Sequence, residues 1–190
     1  MTEQRDIVIL KKMTEIADAI ETGSTSLFHR ESGTIKLMTV YSVYPDLSVK
    51  LACMRGMIAA TKSKDQTVRE KGMGCLSSIL VSVDSNEPLY DYMIKQLGKA
   101  IKRNKYVNIE MLCDFATLLK ENKLTSMTQR RMVFRTLLMN ALHSEDHHLQ
   151  LRAEFGLREV LDCVPSHWQA RATDVLRARE IHSMVVLCEE

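Results

Sequence analysis

The stretch that decides the fold is LYDYMIKQLGKAIKRN, residues 89–104. At about 100° per residue, Met93, Ile94, Leu97 and Ile101 fall together on one side of a helical wheel. Lys95, Lys99, Lys102 and Arg103 fall together on the other, and Lys105 extends the row. One face is suited to burial and the other to solvent or to an anion. Three of these cations are also expected in the last helical turn, where the helix dipole favours them. Ordinary capping and solvation is therefore the plainer explanation against which anion binding is weighed.

The same periodicity recurs along the chain. Apolar residues at helical spacing predict helices over about 6–21, 26–43, 46–63, 63–83, 89–104, 108–122, 126–142, 146–163 and 166–187. In the first, Ile9, Met13, Ile16 and Ile20 form the stripe. In the third, Leu47, Leu51, Met54 and Ile58 are expected to face inward, with Asp46 as the N-cap. In the fourth, Val68, Cys75, Leu76 and Ile79 are expected inside, with Ser63 or Asp65 as cap. The sixth is apolar through Ile109, Leu112, Phe115, Ala116 and Leu119. Gly23 reads as a helix stop, Pro88 as a first-turn residue and Ser166 as a cap. Gly (7), Pro (3) and aromatic residues (5%) are too scarce for a turn-rich sheet protein. The expectation is an all-α multi-helix bundle of about nine helices in two helical subdomains, residues 1–85 and 86–190. SKDQTVREKGMGCLSSIL and HSEDHHLQLRAEFGLREVL share a HEAT-like pattern, but no period is kept between them.

Composition limits the function classes. With 45% apolar and 26% charged residues the chain is an ordinary globular one. Its twelve methionines suit surfaces that repack. Its five cysteines, Cys53, Cys75, Cys113, Cys163 and Cys188, are odd in number and widely spaced, and read as free thiols in a reducing compartment. The opening residues do not read as a signal peptide, and no run reaches the roughly 18–20 apolar residues of a membrane span. A membrane role is expected to be peripheral.

Catalytic patterns are missing. No Gly-rich phosphate loop, nucleophile elbow or H-E-x-x-H is present. The cluster His143, Glu145, Asp146, His147 and His148 holds zinc-type ligands, but they are adjacent in a turn and lack a cysteine, so a polar inter-helix loop is the preferred reading. Cys163 and His167 are separated by Pro165, and His29 and His182 lack partners in sequence. No catalytic residue, metal site or cofactor is expected, and the chain is not read as an enzyme.

Charge is polarised. Lys50 to Lys105 holds eleven Lys/Arg against five Asp/Glu, an excess of six in a chain whose net charge is +2. The candidate anion-binding residues are Lys95, Lys99, Lys102, Arg103 and Lys105, with Lys62, Lys64, Arg69 and Lys71 beside them in sequence. Arg130, Arg131 and Arg135 form a secondary basic set, and Arg171, Arg177 and Arg179 a third. Glu180, Glu189 and Glu190 offer opposed charge for head-to-tail contacts between identical subunits. Such a surface can hold anionic lipid or RNA phosphates without reading bases.

From about Glu15 to Lys102 the chain resembles the N-terminal half of the orthomyxovirus matrix protein family. The residues that carry the resemblance are EIADAIE at 15–21, Leu37-Met38, Pro45, Leu47-Ser48, Gly56, the turn SKDQT, the loop VDSNEP and the basic segment YMIKQLGKAIKR. Helix lengths over 106–142 are also similar. Arg69-Glu70-Lys71 dilutes the family's run of arginines. The family's Cys/Cys/His/His motif has no cysteines near His143, His147 and His148, so zinc is not implied. The chain ends sooner than the family pattern, so a reduced second domain is expected. The resemblance implies a viral structural protein that self-polymerises under the envelope. It implies binding of anionic membrane and of viral ribonucleoprotein or RNA through the basic helix, and a role in budding. It places the protein in the virion on the inner face of the envelope, and in the host cytoplasm, inner plasma membrane and nucleus. The alternatives are a small HEAT-like adaptor binding a protein partner and a nonspecific RNA- or nucleocapsid-binding protein.

Overall fold

The computed structural model describes the backbone of residues 2–104 and 107–189, and the side chains of 4–103 and 107–180. Among the described residues there are nine α-helices, a single 3₁₀ turn and no strand, so the chain is an all-α multi-helix protein. The helices are α1 (Thr2–Thr22), α2 (Leu27–Val43), α3 (Leu47–Ala60), α4 (Gln66–Ser82), α5 (Tyr90–Asn104), α6 (Ile109–Lys120), α7 (Met127–His143), α8 (His147–Val160) and α9 (Ser166–Glu189). The chain forms two compact units, Met1–Met111 and Leu112–Glu190. The division falls in the first turn of α6, between Met111 and Leu112, rather than at residue 85, and α5, which packs on α4, belongs to the first unit.

In the first unit α3 is the central helix and packs against α1, α2 and α4. Val49, Cys53, Met57 and Ala60 on α3 are fully buried. They meet a core supplied by Ala17, Leu37, Tyr41, Val68, Leu76 and Leu80, all without exposed surface. Each large apolar side chain so buried contributes about 1.5–3 kcal/mol. This face of α3 is not the expected stripe. Met54 and Ile58 are buried, but Leu47 and Leu51 are 50% and 43% exposed. The helix is apolar on nearly every side, so periodicity alone does not choose which sides its three neighbours cover.

Two glycines allow the close approach. A Cβ at Gly56 would lie 2.9 Å from the Ala17 Cβ and collide with Leu37, so α1, α2 and α3 converge there. A Cβ at Gly72 would lie 2.7 Å from the Ala60 Cβ and 2.8 Å from the Thr61 backbone nitrogen, where α4 crosses the end of α3. Gly74 is buried but has room: a Cβ there would make only an ordinary contact, 3.8 Å from the Asn108 side chain.

The helix ends follow their capping chemistry. Asp46 caps α3, its carboxylate accepting from the Val49 N–H at 2.9 Å. Gly23 stops α1 with φ +68. Asp65 stands at the N-cap of α4 without capping it through its side chain, because its carboxylate pairs with Arg30 at 2.6 Å. Pro88 precedes α5 in a turn, and the Glu87 carbonyl accepts from the Tyr90 N–H. Ser166 is the first residue of α9 rather than its cap, and the Pro165 carbonyl accepts from Trp168 and Gln169.

In the second unit α7 packs on α8, and α9 packs on both. Gly156 of α8 lies close under Leu137 and Ala116, joining α6, α7 and α8. Phe134 and Trp168 stack at 5.0 Å. Ser126 and Gln129 form a reciprocal capping box at the start of α7. Ile109, expected inside, is 45% exposed at the start of α6. The helix expected to run to 163 ends at Val160 and continues as the 3₁₀ turn Leu161–Cys163, which leaves Cys163 exposed.

Replacing Gly72 with Ala is expected to cost about 1–3 kcal/mol by overpacking against backbone that cannot yield. Replacing Gly74 with Ala is expected to add about 0.5–1 kcal/mol from helix propensity. Urea denaturation of the two variants checks both, and equal effects would contradict the packing at Gly72.

Candidate anion-binding interface

The interface begins with α5. Met93, Ile94, Leu97 and Ala100 are buried, and Lys95, Lys99, Lys102 and Arg103 are exposed. The two sets face apart, as the wheel requires. Lys102 and Arg103 occupy the last turn, where the Arg103 Nε donates to the Lys99 carbonyl at 3.3 Å. Lys95, Lys99 and Lys102 make no ion pair among the described residues. Tyr92, 48% exposed, falls among these cations on the wheel. Lys105 and Tyr106 lie outside the described residues.

The remaining cations of the first unit divide into committed and uncommitted ones. Lys62, Lys64 and Lys71 are exposed and without an ion pair among the described residues. Arg69 is not free in the same sense: its Nη1 donates to the Ser63 and Lys64 carbonyls at 2.9 and 2.6 Å, clamping the α3–α4 turn. Lys50 pairs with Glu87 at 2.9 Å and lies over the Tyr41 ring. Arg55 pairs with Asp18.

Four of the five acids of this segment have partners that the fold or the local chain supplies. Asp65 is held by Arg30, Glu87 by Lys50, Glu70 by the Gln66 amide at 2.7 Å and Asp84 by the Asn86 N–H at 2.9 Å. Arg30–Asp65 offsets one acid of the segment with a cation from outside it, whereas Lys50–Glu87 takes one charge of each sign from within, and Lys62, Lys64, Lys71, Lys95, Lys99 and Lys102 stay exposed. The sequence count of charges does not show which of these pairs form.

In the second unit Arg131 and Arg135 are exposed and share a face of α7, which carries no acidic residue. Arg130 is half-buried and its Nε donates to the Leu124 carbonyl at 3.3 Å, so it serves the α7 start. Arg171 and Arg177 are exposed. Arg179 is internal, bonded to Glu154 at 2.9 Å and to Gln150. Glu180 pairs with Arg158 at 2.6 Å, which removes it from the acids offered for contacts between subunits. The side chains of His182, Cys188, Glu189 and Glu190 lie outside the described ones.

The HSEDHH segment is a capping turn. Asp146 accepts from the His148 and Leu149 N–H groups at 2.8 and 3.2 Å, and the Ser144 hydroxyl donates to the Asp146 carbonyl. Among the described residues no group of three His, Cys, Asp or Glu is placed to hold a metal. None of the described helices is long and apolar enough to cross a membrane. Burial pushes the Cys53 and Cys75 thiols up to about 12 from 9.0, and Cys113 accepts from the Arg152 Nε at 2.9 Å. Comparison with protein-family models, curated proteins and solved structures finds no match for this chain.

The raised thiol values have a defined sign. Cys53 and Cys75 fold as neutral thiols, so their contribution to stability is complete below about pH 9 and is lost as pH rises toward 12. The urea midpoint is expected to fall over that window, and to fall less in a Cys53→Ala/Cys75→Ala protein. At neutral pH, maleimide followed by peptide mapping is expected to label exposed Cys163 well before either buried thiol.

Proposed function

We propose that the chain is a matrix-type structural protein that binds anionic surfaces peripherally through the outer face of α5. The observation that carries this reading is the exposed set Lys95, Lys99 and Lys102, unpaired among the described residues and opposed to a fully apolar buried face. Lys62, Lys64 and Lys71 of the same unit add to the positive field. A cation held near an acidic leaflet contributes about 1 kcal/mol, so a handful gives adhesion that is useful, reversible and sensitive to salt. The similarity to orthomyxovirus matrix proteins supplies the wider role. In it, copies of the chain polymerise into a layer under a viral envelope, contact ribonucleoprotein and assist budding. Peripheral attachment agrees with helices too short or too polar to span a bilayer.

Co-sedimentation with vesicles tests the surface reading. The protein is expected to pellet with phosphatidylserine vesicles and not with neutral ones, and to release as salt rises. Changing Lys95, Lys99 and Lys102 together to Gln is expected to lower binding by roughly 100-fold, at about 1 kcal/mol per charge, with an unchanged circular dichroism spectrum. Equal pelleting with neutral vesicles would end the membrane reading. RNA retention with a steep salt slope, alongside vesicle indifference, would assign the same face to nucleic acid instead.

A further inference from the structure

The exposed side of α3 borders a groove of about 1190 Å³ within the first unit. Its chemistry changes from end to end. At the start of α3 its walls are Leu51, Met54, Leu89 and Tyr92. The Lys50–Glu87 pair at 2.9 Å fixes this end, because it ties α3 to the segment that leads into α5. Eleven residues further along, roughly 16 Å by helical rise, the walls are Lys62 and Lys64 in the turn after α3. Arg30 and Asp65, paired at 2.6 Å, also line the groove.

The two ends have unmet needs of different kinds. Leu51 and Tyr92 are 43% and 48% exposed although they line a concave surface. At the far end Asp65 is neutralised by Arg30, and the nearby Arg55 by Asp18. Glu21 is the other carboxylate of the lining, against Lys62 and Lys64, which have no ion pair among the described residues. An apolar trough leading to an excess of positive charge is complementary to a linear molecule with a hydrocarbon tail and an anionic head.

We propose that this groove holds a single acyl or alkyl chain carrying a carboxylate or phosphate head. The chain lies along Leu51, Met54 and Tyr92, and the head meets Lys62 and Lys64. The proposal rests on the reading of the protein as a binder of anionic lipid surfaces and gives that reading a specific lipid seat. Tyr92 links the two, since it lines the groove and also belongs to the cationic side of α5.

Isothermal titration of the full chain with dodecanoate and with dodecyl phosphate, both below their micelle concentrations, tests it. Saturable one-site binding is expected for both. Leu51→Glu and Lys62→Glu/Lys64→Glu are each expected to weaken it by about tenfold or more, with circular dichroism confirming the fold. Equal affinity for a neutral dodecyl maltoside, absence of saturation, or folded variants that bind like the parent would overturn the proposal. The Lys95/Lys99/Lys102→Gln protein is expected to keep dodecanoate binding while losing vesicle binding. Pelleting with phosphatidylserine vesicles without amphiphile saturation would sink the groove and leave the surface reading standing. Spin-labelled phosphatidylserine in vesicles is expected to broaden the Leu51 methyl signals if the lipid comes from a leaflet. Broadening by a spin-labelled free fatty acid alone would assign the seat to a soluble amphiphile of the same chemistry.

Discussion

The first unit depends on the contact at Gly56. α1 and α2 both reach α3 there, and no side chain other than hydrogen leaves room for Ala17 and Leu37. The approach brings three helix backbones near enough for their larger neighbours to interdigitate. Gly72 repeats the device one helix later, letting α4 cross the end of α3 beside Ala60 and Thr61. α5 then packs on α4, and its apolar side is the one available to do so. The cationic side faces out because the apolar side is the one buried against α4.

Charge is sorted by the same packing. Ion pairs such as Arg30–Asp65 and Lys50–Glu87 join elements distant in sequence; the first offsets an acid of the basic segment with a cation from outside it, and the second uses one charge of each sign from within it. As partly exposed pairs their contribution to stability is modest. Lys62, Lys64, Lys71 and the α5 row remain as exposed cations of the first unit.

Much of this was legible from periodicity. The amphipathic pattern of α5 is strict, so its buried and exposed faces follow from the wheel without knowledge of a neighbour. The same holds for Val68, Cys75, Leu76 and Ile79 on α4, all buried. Asp46 and Gly23 were readable because capping is local chemistry. The capping box at Ser126 and Gln129 carried the S-x-x-Q signal that marks such a start. What was not legible is the choice among equivalent possibilities. Leu47 and Leu51 had the spacing of core residues, yet α3 has apolar residues to spare and its neighbours cover other sides. Arg69, Arg130 and Arg179 look in sequence like any surface cation, but each is within reach of carbonyls or acids that only the fold supplies.

By itself, then, the sequence determined that the chain is helical, where the helices start and stop to within a few residues, and which side of α5 is charged. Those outcomes rest on interactions between residues a few positions apart. Tertiary structure decided which acids are neutralised, which cations stay free, and that the open side of α3 becomes a groove with an apolar end and a cationic end. Those outcomes rest on contacts between elements tens of residues apart, and pattern along a chain carries no record of which helices will meet.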